Sequence, residues 1–386
     1  MAEPFRFQTV ATIVVEFGAA RRLGALLRER YPTLARLCLV TDGFLHRSGL
    51  LAPALADLAE HGWDVSVLDN VVADPPEHVV LEAAAQARDA QAQIVIGLGG
   101  GSSMDVAKLL AVLLASEQPL SEMYGVDKVE AGRLPLVQIP TTAGTGSEVT
   151  AVSIVTVGEA TKMGVVAPQL IADLAILDAE LTLGLPSAAT AATGIDAMVH
   201  AIEAYTSARL KNPVSDMLAL RALQLLSTHL LTACRDGQDR TAREAMLLGA
   251  TFAGQAFANA PVAAVHALAY PIGGIYHVPH GLSNAIVLPH VLKFNASAAA
   301  PLYAELAEAI LPAATGSAED KTRAFIEHLE HLIAETRIPA TLREVGIERD
   351  GLARMAKDAM LQQRLLVNNP RPVTEADALA IYTAAF

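Results

Sequence analysis

The run IVIGLGGGSSMDVAKLLAVLLA, residues 94–115, constrains the fold more than any other stretch. Its β-branched start reads as a buried strand and its Ala/Leu-rich end as a helix, with three glycines and two serines between them. A strand that feeds directly into a helix is half of a β-α-β unit, and its neighbours extend the pattern. LCLVTD near 37–42, DVSVLD near 64–69 and LVQIPTT near 136–142 are further strand-like runs, separated by helical patterns such as AARRLGALLRERY and PEHVVLEAAAQARDA. This alternation predicts a doubly wound parallel sheet covered on both faces. Such sheets bind ligands beyond the carboxyl ends of their strands.

After DLAILDAEL the strand patterns fade, and LGLPSAATAATG reads as a hinge near 185–191 into a half of helical periodicity. The expected division is an α/β dinucleotide-binding domain over 1–188 and an all-α domain over 189–386. A chain of 386 residues, 52% apolar and 18% charged, is long and apolar enough for two cores. Its net charge of −13, with no run of Lys or Arg, argues against nucleic acid or an anionic membrane as partner. Cys38 and Cys234 make neither a disulfide framework nor a thiolate metal site, which fits a reducing, cytoplasmic compartment. The start MAEPFRFQTV lacks the basic opening and apolar core of a secretory signal. No uninterrupted apolar stretch reaches membrane-spanning length without Gly, Pro or charge.

Several residues carry chemistry. At Gly99, Gly100, Gly101, Ser102 and Ser103 the backbone can approach an anion, and the N–H groups of the following helical turn would point at it. The spacing G-x-G-x-x-S from Gly97 departs from the dinucleotide fingerprint, and a plain turn with Ser103 as N-cap is the other reading. An acid that holds the adenosine ribose normally follows the glycine loop by about twenty residues, whereas Asp42 precedes it, so the strand order must differ. Asp42 equally reads as the start of the turn in TDGF. In GIDAMVH, Asp196 and His200 are four apart and share a helical face; alone they would also suit a surface or capping pair. His266 and His280 open and close HALAYPIGGIYHVPH, and one carboxylate with three imidazoles suits Fe(II), Zn or Mn.

GGGSSMDVAK at 99–108, PTTAGTGSE at 140–148, TGIDAMVHAIEAY at 193–205 and HVPHGLSNA at 277–285 together resemble the iron-containing (group III) alcohol dehydrogenases, in family order and over nearly the whole chain. The resemblance implies a dehydroquinate-synthase-like dinucleotide domain in which the position of Asp42 faces the adenosine ribose. A carboxylate there would repel a 2′-phosphate, favouring NAD over NADP. It also implies phosphate binding at Gly99–Ser103 and cofactor contacts from Asp105, Thr141, Thr142, Thr145 and Ser147, with Lys162 reaching a ribose. Asp196, His200, His266 and His280 become the metal ligands, for Fe(II) ahead of Zn or Mn. Family members often carry a second glycine where Ala20 stands and asparagine where Asp74 stands. Many have histidine at the position of Tyr270 as proton relay; here His277, the Tyr270 hydroxyl or ordered water stand open for that role.

The expected function is hydride transfer between an alcohol, or its aldehyde or ketone, and NAD(H), with the metal polarising the substrate oxygen in a cleft between the halves. A homo-oligomer and a small-molecule substrate, small or moderately apolar from Ala, Val, Tyr and Ile around the metal loop, complete the picture. Glycerol dehydrogenase and maleylacetate reductase are neighbouring alternatives. A dehydroquinate-synthase-like lyase would need basic residues around the metal, which the flanking segments lack. A non-catalytic binding protein would have no reason to keep all four ligands.

Overall fold

The computed structural model describes residues 4–158 and 161–386. The chain forms two compact units. One comprises Thr9–Thr142 and Gly146–Leu183; the other comprises Gly184–Phe386 with Ala143–Thr145 and the segment ending at Gln8.

The first unit is α/β. Among the described residues its strands are β1 (Ile13–Val15), β2 (Arg36–Asp42), β3 (Asp64–Val71), β4 (Ile94–Gly99), β5 (Gly125–Val126), β6 (Leu136–Pro140), β7 (Val152–Val157), β8 (Thr161–Val166) and β9 (Leu174–Leu177). Six form an all-parallel sheet in the order β1-β9-β6-β4-β2-β3, and β5, β8 and β7 form a small second sheet. Successive side chains of a strand face opposite ways, and two separate apolar layers result. Leu37, Leu39, Ile94, Ile96 and Leu98 enter one layer, built on the helices Leu23–Arg30 and Ala52–Glu60. Cys38, Val40 and Val95 enter the other, built on the helices Glu77–Asp89 and Gly101–Leu113. Gly97 lets that last helix sit directly on β4, because a Cβ there would lie 2.9 Å from the Ala107 Cβ and 3.1 Å from the Met104 Cα.

The connections after β1 and β2 advance across the sheet in one direction, and those after β3 and β4 run back. Right-handed crossovers therefore put their helices on opposite faces. The adjacent strands β2 and β4 send their loops apart, which makes the crevice beyond Asp42 and Gly99 the topological switch point where doubly wound sheets take ligands.

The second unit is helical; among the described residues it contains no strand. Its long helices are Ser187–Thr206, Pro213–Arg235, Arg240–Asn259, Ala264–Tyr276, His280–Ile310 and Ala318–Thr336. Caps mark their starts: Asn212 accepts from the Ser215 N–H, Asp239 from the Ala242 N–H, and Ser317 with Asp320 forms a capping box. Among the described residues, Pro213–Arg235 is the one helix long and apolar enough to cross a membrane. Its buried Ala219, Ala222, Leu223, Leu226 and Leu230 follow a helical stripe, while Asp216, Arg221 and Arg235 lie outside it, the pattern of a bundle helix. Near the end of the chain, Asn369 and Asn295 exchange amide hydrogen bonds, and Arg371 donates to the Phe294 carbonyl.

Candidate metal centre and nucleotide site

In the helical unit, Asp196 and His200 project from the helix Ser187–Thr206, with exposures of 2% and 4%. His266 sits in the first turn of Ala264–Tyr276, and His280 begins His280–Ile310. Three helix segments thus aim one carboxylate and three imidazoles at a common point. Asp196 Oδ1 lies 3.9 Å from His200 Nε2, 3.8 Å from His266 Nε2 and 3.7 Å from His280 Nε2. Tetrahedral bonds of about 2.1 Å would separate ligand atoms by about 3.4 Å; ligand atoms of Asp196, His200 and His266 all lie within 4.8 Å of one another, a grouping able to hold a metal ion, and His280 adjoins it through Asp196 Oδ1.

Electrostatics support that use. Burial pushes the His200 imidazole down to about 3, reinforced by His266 and His280 against the pull of Asp196, so its lone pair is kept at neutral pH. Burial alone would raise the Asp196 carboxyl, but the three imidazoles and the Asn284 amide outweigh it and hold it below the usual carboxylate range. Phe257 stacks on His200 at 4.3 Å between ring centroids, an apolar wall on one side. The His280 side chain, 39% exposed, is the open side.

Two further residues of this centre escape the sequence reading. Glu203 is buried and accepts a hydrogen bond from His266 Nδ1 at 2.6 Å, and Asn284 donates to Asp196 Oδ1 at 2.5 Å. Their signal was present: Glu203 follows Asp196 by seven and His200 by three, and Asn284 follows His280 by four, all on shared helical faces. Tyr270 lies beside His280, ring centroids 6.0 Å apart, and its hydroxyl accepts from Arg364 at 3.3 Å. His277 is exposed in a left-handed conformation, φ 57°, ending the helix Ala264–Tyr276.

In the α/β unit, Gly100 is the N-cap of Gly101–Leu113 and no side chain caps that helix. Ser103 is therefore not the N-cap; it lies within the first turn and is buried against Gly99, whose notional Cβ would be 2.6 Å from its Oγ. Ser102 precedes it in the same turn. Asp42 Oδ1 caps the short helix Gly43–Arg47 through the Phe44 and Leu45 N–H groups, both at 2.9 Å, so the turn-starting reading is realised with one of its two oxygens. The Thr141 N–H donates to the Gly99 carbonyl at 3.0 Å, and Thr142 lies near Gly100. Asp105 accepts from Ser147 Oγ at 2.6 Å and from the Ile154 N–H at 2.9 Å. Lys108, which the sequence reading passed over, is fully buried and donates to Ser147 Oγ, Thr150 Oγ1 and the Val152 carbonyl. Lys162 pairs with Asp74 at 2.7 Å and donates to Thr156 Oγ1. Asp74 has φ 53°, a conformation in which Asp and Asn are enriched. Thr145 belongs to the helical unit.

Comparison with known proteins places the chain in a family. The iron-containing alcohol dehydrogenase profile matches residues 11–179, and the profile described as the Fe-containing alcohol dehydrogenase family, C-terminal, matches 190–386. The chain is 42% identical over 354 residues to long-chain-alcohol dehydrogenase 1 of Geobacillus thermodenitrificans, covering 91% of this chain and 89% of that one. It is 34% identical over 371 residues to the NAD-dependent methanol dehydrogenase of Bacillus methanolicus, covering 95% and 96%. The crystal structure of a 1,3-propanediol oxidoreductase superposes with a TM-score of 0.95 at 33% identity, covering all of both chains.

The chain belongs to the iron-containing alcohol dehydrogenase family. It is an oxidoreductase, an alcohol dehydrogenase rather than a lyase.

Proposed function

We propose that this enzyme transfers hydride between NAD(H) and a small or moderately apolar alcohol or its aldehyde or ketone, using one divalent metal held by Asp196, His200, His266 and His280. The observation that carries the reading is the convergence of three imidazole nitrogens within 3.9 Å of one buried carboxylate oxygen. Fe(II) is the metal assigned, with Zn or Mn able to use the same donors. When bound, the metal supplies Lewis acidity toward the substrate oxygen.

The chain's own residues do the rest. The uncapped first turn of Gly101–Leu113 offers N–H groups to the pyrophosphate, with Gly99, Gly100, Ser102 and Ser103 keeping the approach narrow. Asp42 keeps Oδ2 for the ribose hydroxyls while Oδ1 fixes its position, and its charge disfavours a 2′-phosphate. Thr141, Thr142, Thr145 and Ser147 line the nicotinamide side, Asp105 orients Ser147, and Lys162 reaches the ribose from its pair with Asp74. Asp196 contributes the negative charge of the donor set, and Phe257 keeps water from the back of His200. Protons leave on the His280 side, where the Tyr270 hydroxyl and the exposed His277 can carry them to solvent. Residues 1–188 act as the nucleotide domain and 189–386 as the metal and substrate domain, in keeping with the two profile matches. The enzyme acts in the cytoplasm as a homo-oligomer, a state favoured by the outer edge of β1, where Val15 is 57% exposed.

The test strips the protein with a chelator, resupplies Fe(II), Zn or Mn singly, and follows NADH absorbance with NAD and a panel of alcohols. Metal-dependent NADH formation is expected. No NADH with any alcohol, and no NADH consumption with any aldehyde or ketone, despite bound metal and cofactor, would refute the proposal.

A further inference from the structure

We propose that Glu203 is a positioning residue that sets the tautomer of His266 and the start of its helix together, so that metal affinity depends on a carboxylate that never touches the metal. The inference rests on the ligand assignment proposed above. Glu203 is 4% exposed and uses both oxygens. Oε1 accepts from the Val265 N–H at 2.7 Å; Oε2 accepts from the Ala263 N–H at 2.9 Å and from His266 Nδ1 at 2.6 Å.

An ionised carboxylate only accepts hydrogen bonds, so the imidazole nitrogen facing it carries a proton. With that proton on Nδ1, the lone pair of a singly protonated ring sits on Nε2, the atom 3.8 Å from Asp196 Oδ1. Asn284 fits that tautomer. Its NH2 group faces Asp196 Oδ1 at 2.5 Å, and the same nitrogen lies 3.3 Å from both His266 Nε2 and His280 Nε2, so its second hydrogen can meet a lone pair on His266.

The backbone contacts add the second half. Ala263 is the N-cap of Ala264–Tyr276 and has no side-chain cap of its own. Glu203, on a different helix, satisfies the N–H of that N-cap residue and of Val265, two of the donors a helix start leaves without partners. The groups that fix where His266 begins and which nitrogen it presents are therefore the two oxygens of one side chain. Carboxylates that orient a ligating histidine in this way typically change metal affinity 10–100-fold when removed.

Glu203→Gln keeps the shape and breaks the logic. If the amide oxygen faces His266 and Ala263, the NH2 confronts the Val265 N–H; if the NH2 faces His266, the ring must move its proton to Nε2. The experiment has two readouts that do not involve turnover. First, metal-free protein labelled with 15N-histidine is examined by NMR, with His266 assigned by substitution: the wild type is expected to carry its proton on Nδ1. Second, competition with a chromophoric chelator gives the Zn dissociation constant, expected to rise about 10–100-fold in Glu203→Gln. A proton on Nε2 in the wild type, or wild-type Zn affinity in the variant, would overturn the proposal. Should the variant not fold, the wild-type tautomer alone decides. A wild-type protein that binds no divalent metal would instead sink the ligand assignment, an outcome separable from either.

Discussion

Gly281→Ala tests how helix packing sets the metal centre. Gly281 follows His280, and its notional Cβ would lie 2.4 Å from the Ala192 carbonyl oxygen and 2.8 Å from its carbon. Both atoms are backbone and cannot rotate away. Ordinary contact begins at 3.4 Å, so 3.4 − 2.4 leaves 1.0 Å by which His280–Ile310 must retreat from Ser187–Thr206. Two effects oppose. Alanine favours a helix over glycine by up to about 1 kcal/mol, while overpacking a tight contact costs about 1–3 kcal/mol. The rigid obstacle makes the second term win, leaving a net loss of about 1–2 kcal/mol in urea unfolding of metal-free protein. The site suffers more, because metal–ligand distances tolerate only about 0.2 Å and the retreat carries His280 and Asn284 away from Asp196. Metal affinity, measured by chelator competition, should fall at least about tenfold, and activity at limiting metal should fall with it. Gly184→Ala, with nothing within 4 Å of its notional Cβ, is the control and should match wild type. A Gly281→Ala protein with unchanged unfolding midpoint and metal affinity would refute the argument.

Asp42→Asn keeps the cap on Gly43–Arg47 but removes the charge, so the kcat/KM ratio for NADP over NAD should rise at least about tenfold with little loss of stability; an unchanged ratio would place the 2′-hydroxyl elsewhere. Asp178 is fully buried and accepts from the Gly18, Ala20 and Glu180 N–H groups. Asp178→Ala leaves these donors unpaired and should cost about 3 kcal/mol or more in denaturant unfolding of the α/β unit. Burial alone would raise the Asp173 carboxyl, but Arg133, at 2.6 Å, and the Leu136 N–H hold it below the usual range. A carboxylate with a folded pKa below its unfolded one stabilises above the unfolded value and loses that contribution as pH falls through the folded one. Asp173→Asn should therefore lower stability at neutral pH and flatten its decline below about pH 4; parallel pH profiles for variant and wild type would contradict the pairing.

Much of the fold was legible because β2, β4 and β6 hold short apolar runs and β3 alternates apolar with polar residues, each bounded by turn residues. β9 lies within DLAILDAEL, where the strand patterns end, whereas β1, three residues long, carries no measurable period, and the hairpin of β7 and β8, six residues each, is not among the strand-like runs the sequence picks out. The metal centre was readable where spacing places residues on one helical face, as with Asp196 and His200. Glu203 lay on that same face and was passed over because a glutamate in an amphipathic helix ordinarily points to water. Lys108 was hidden for a related reason: nothing local shows that a lysine turns inward to Ser147 and Thr150, more than 35 residues away in sequence. Ser103 looked like a cap by residue type, yet the strand ends so abruptly that Gly100 takes the position and leaves Ser103 buried inside the turn.

The sheet order has a consequence for how the chain acquires its structure. β1 has a single neighbour, β9, and its partners Ala175, Ile176 and Leu177 stand some 160 positions later. Asp178 secures the same junction by gripping Gly18 and Ala20. A nascent chain can assemble β2, β3 and β4 in turn, but its first strand must wait for its last, however early it leaves the ribosome. Closure over so long a loop is slow, so until Leu177 has been made β1 remains an apolar ribbon without a seat. The unit's earliest residues are its last to be stitched in.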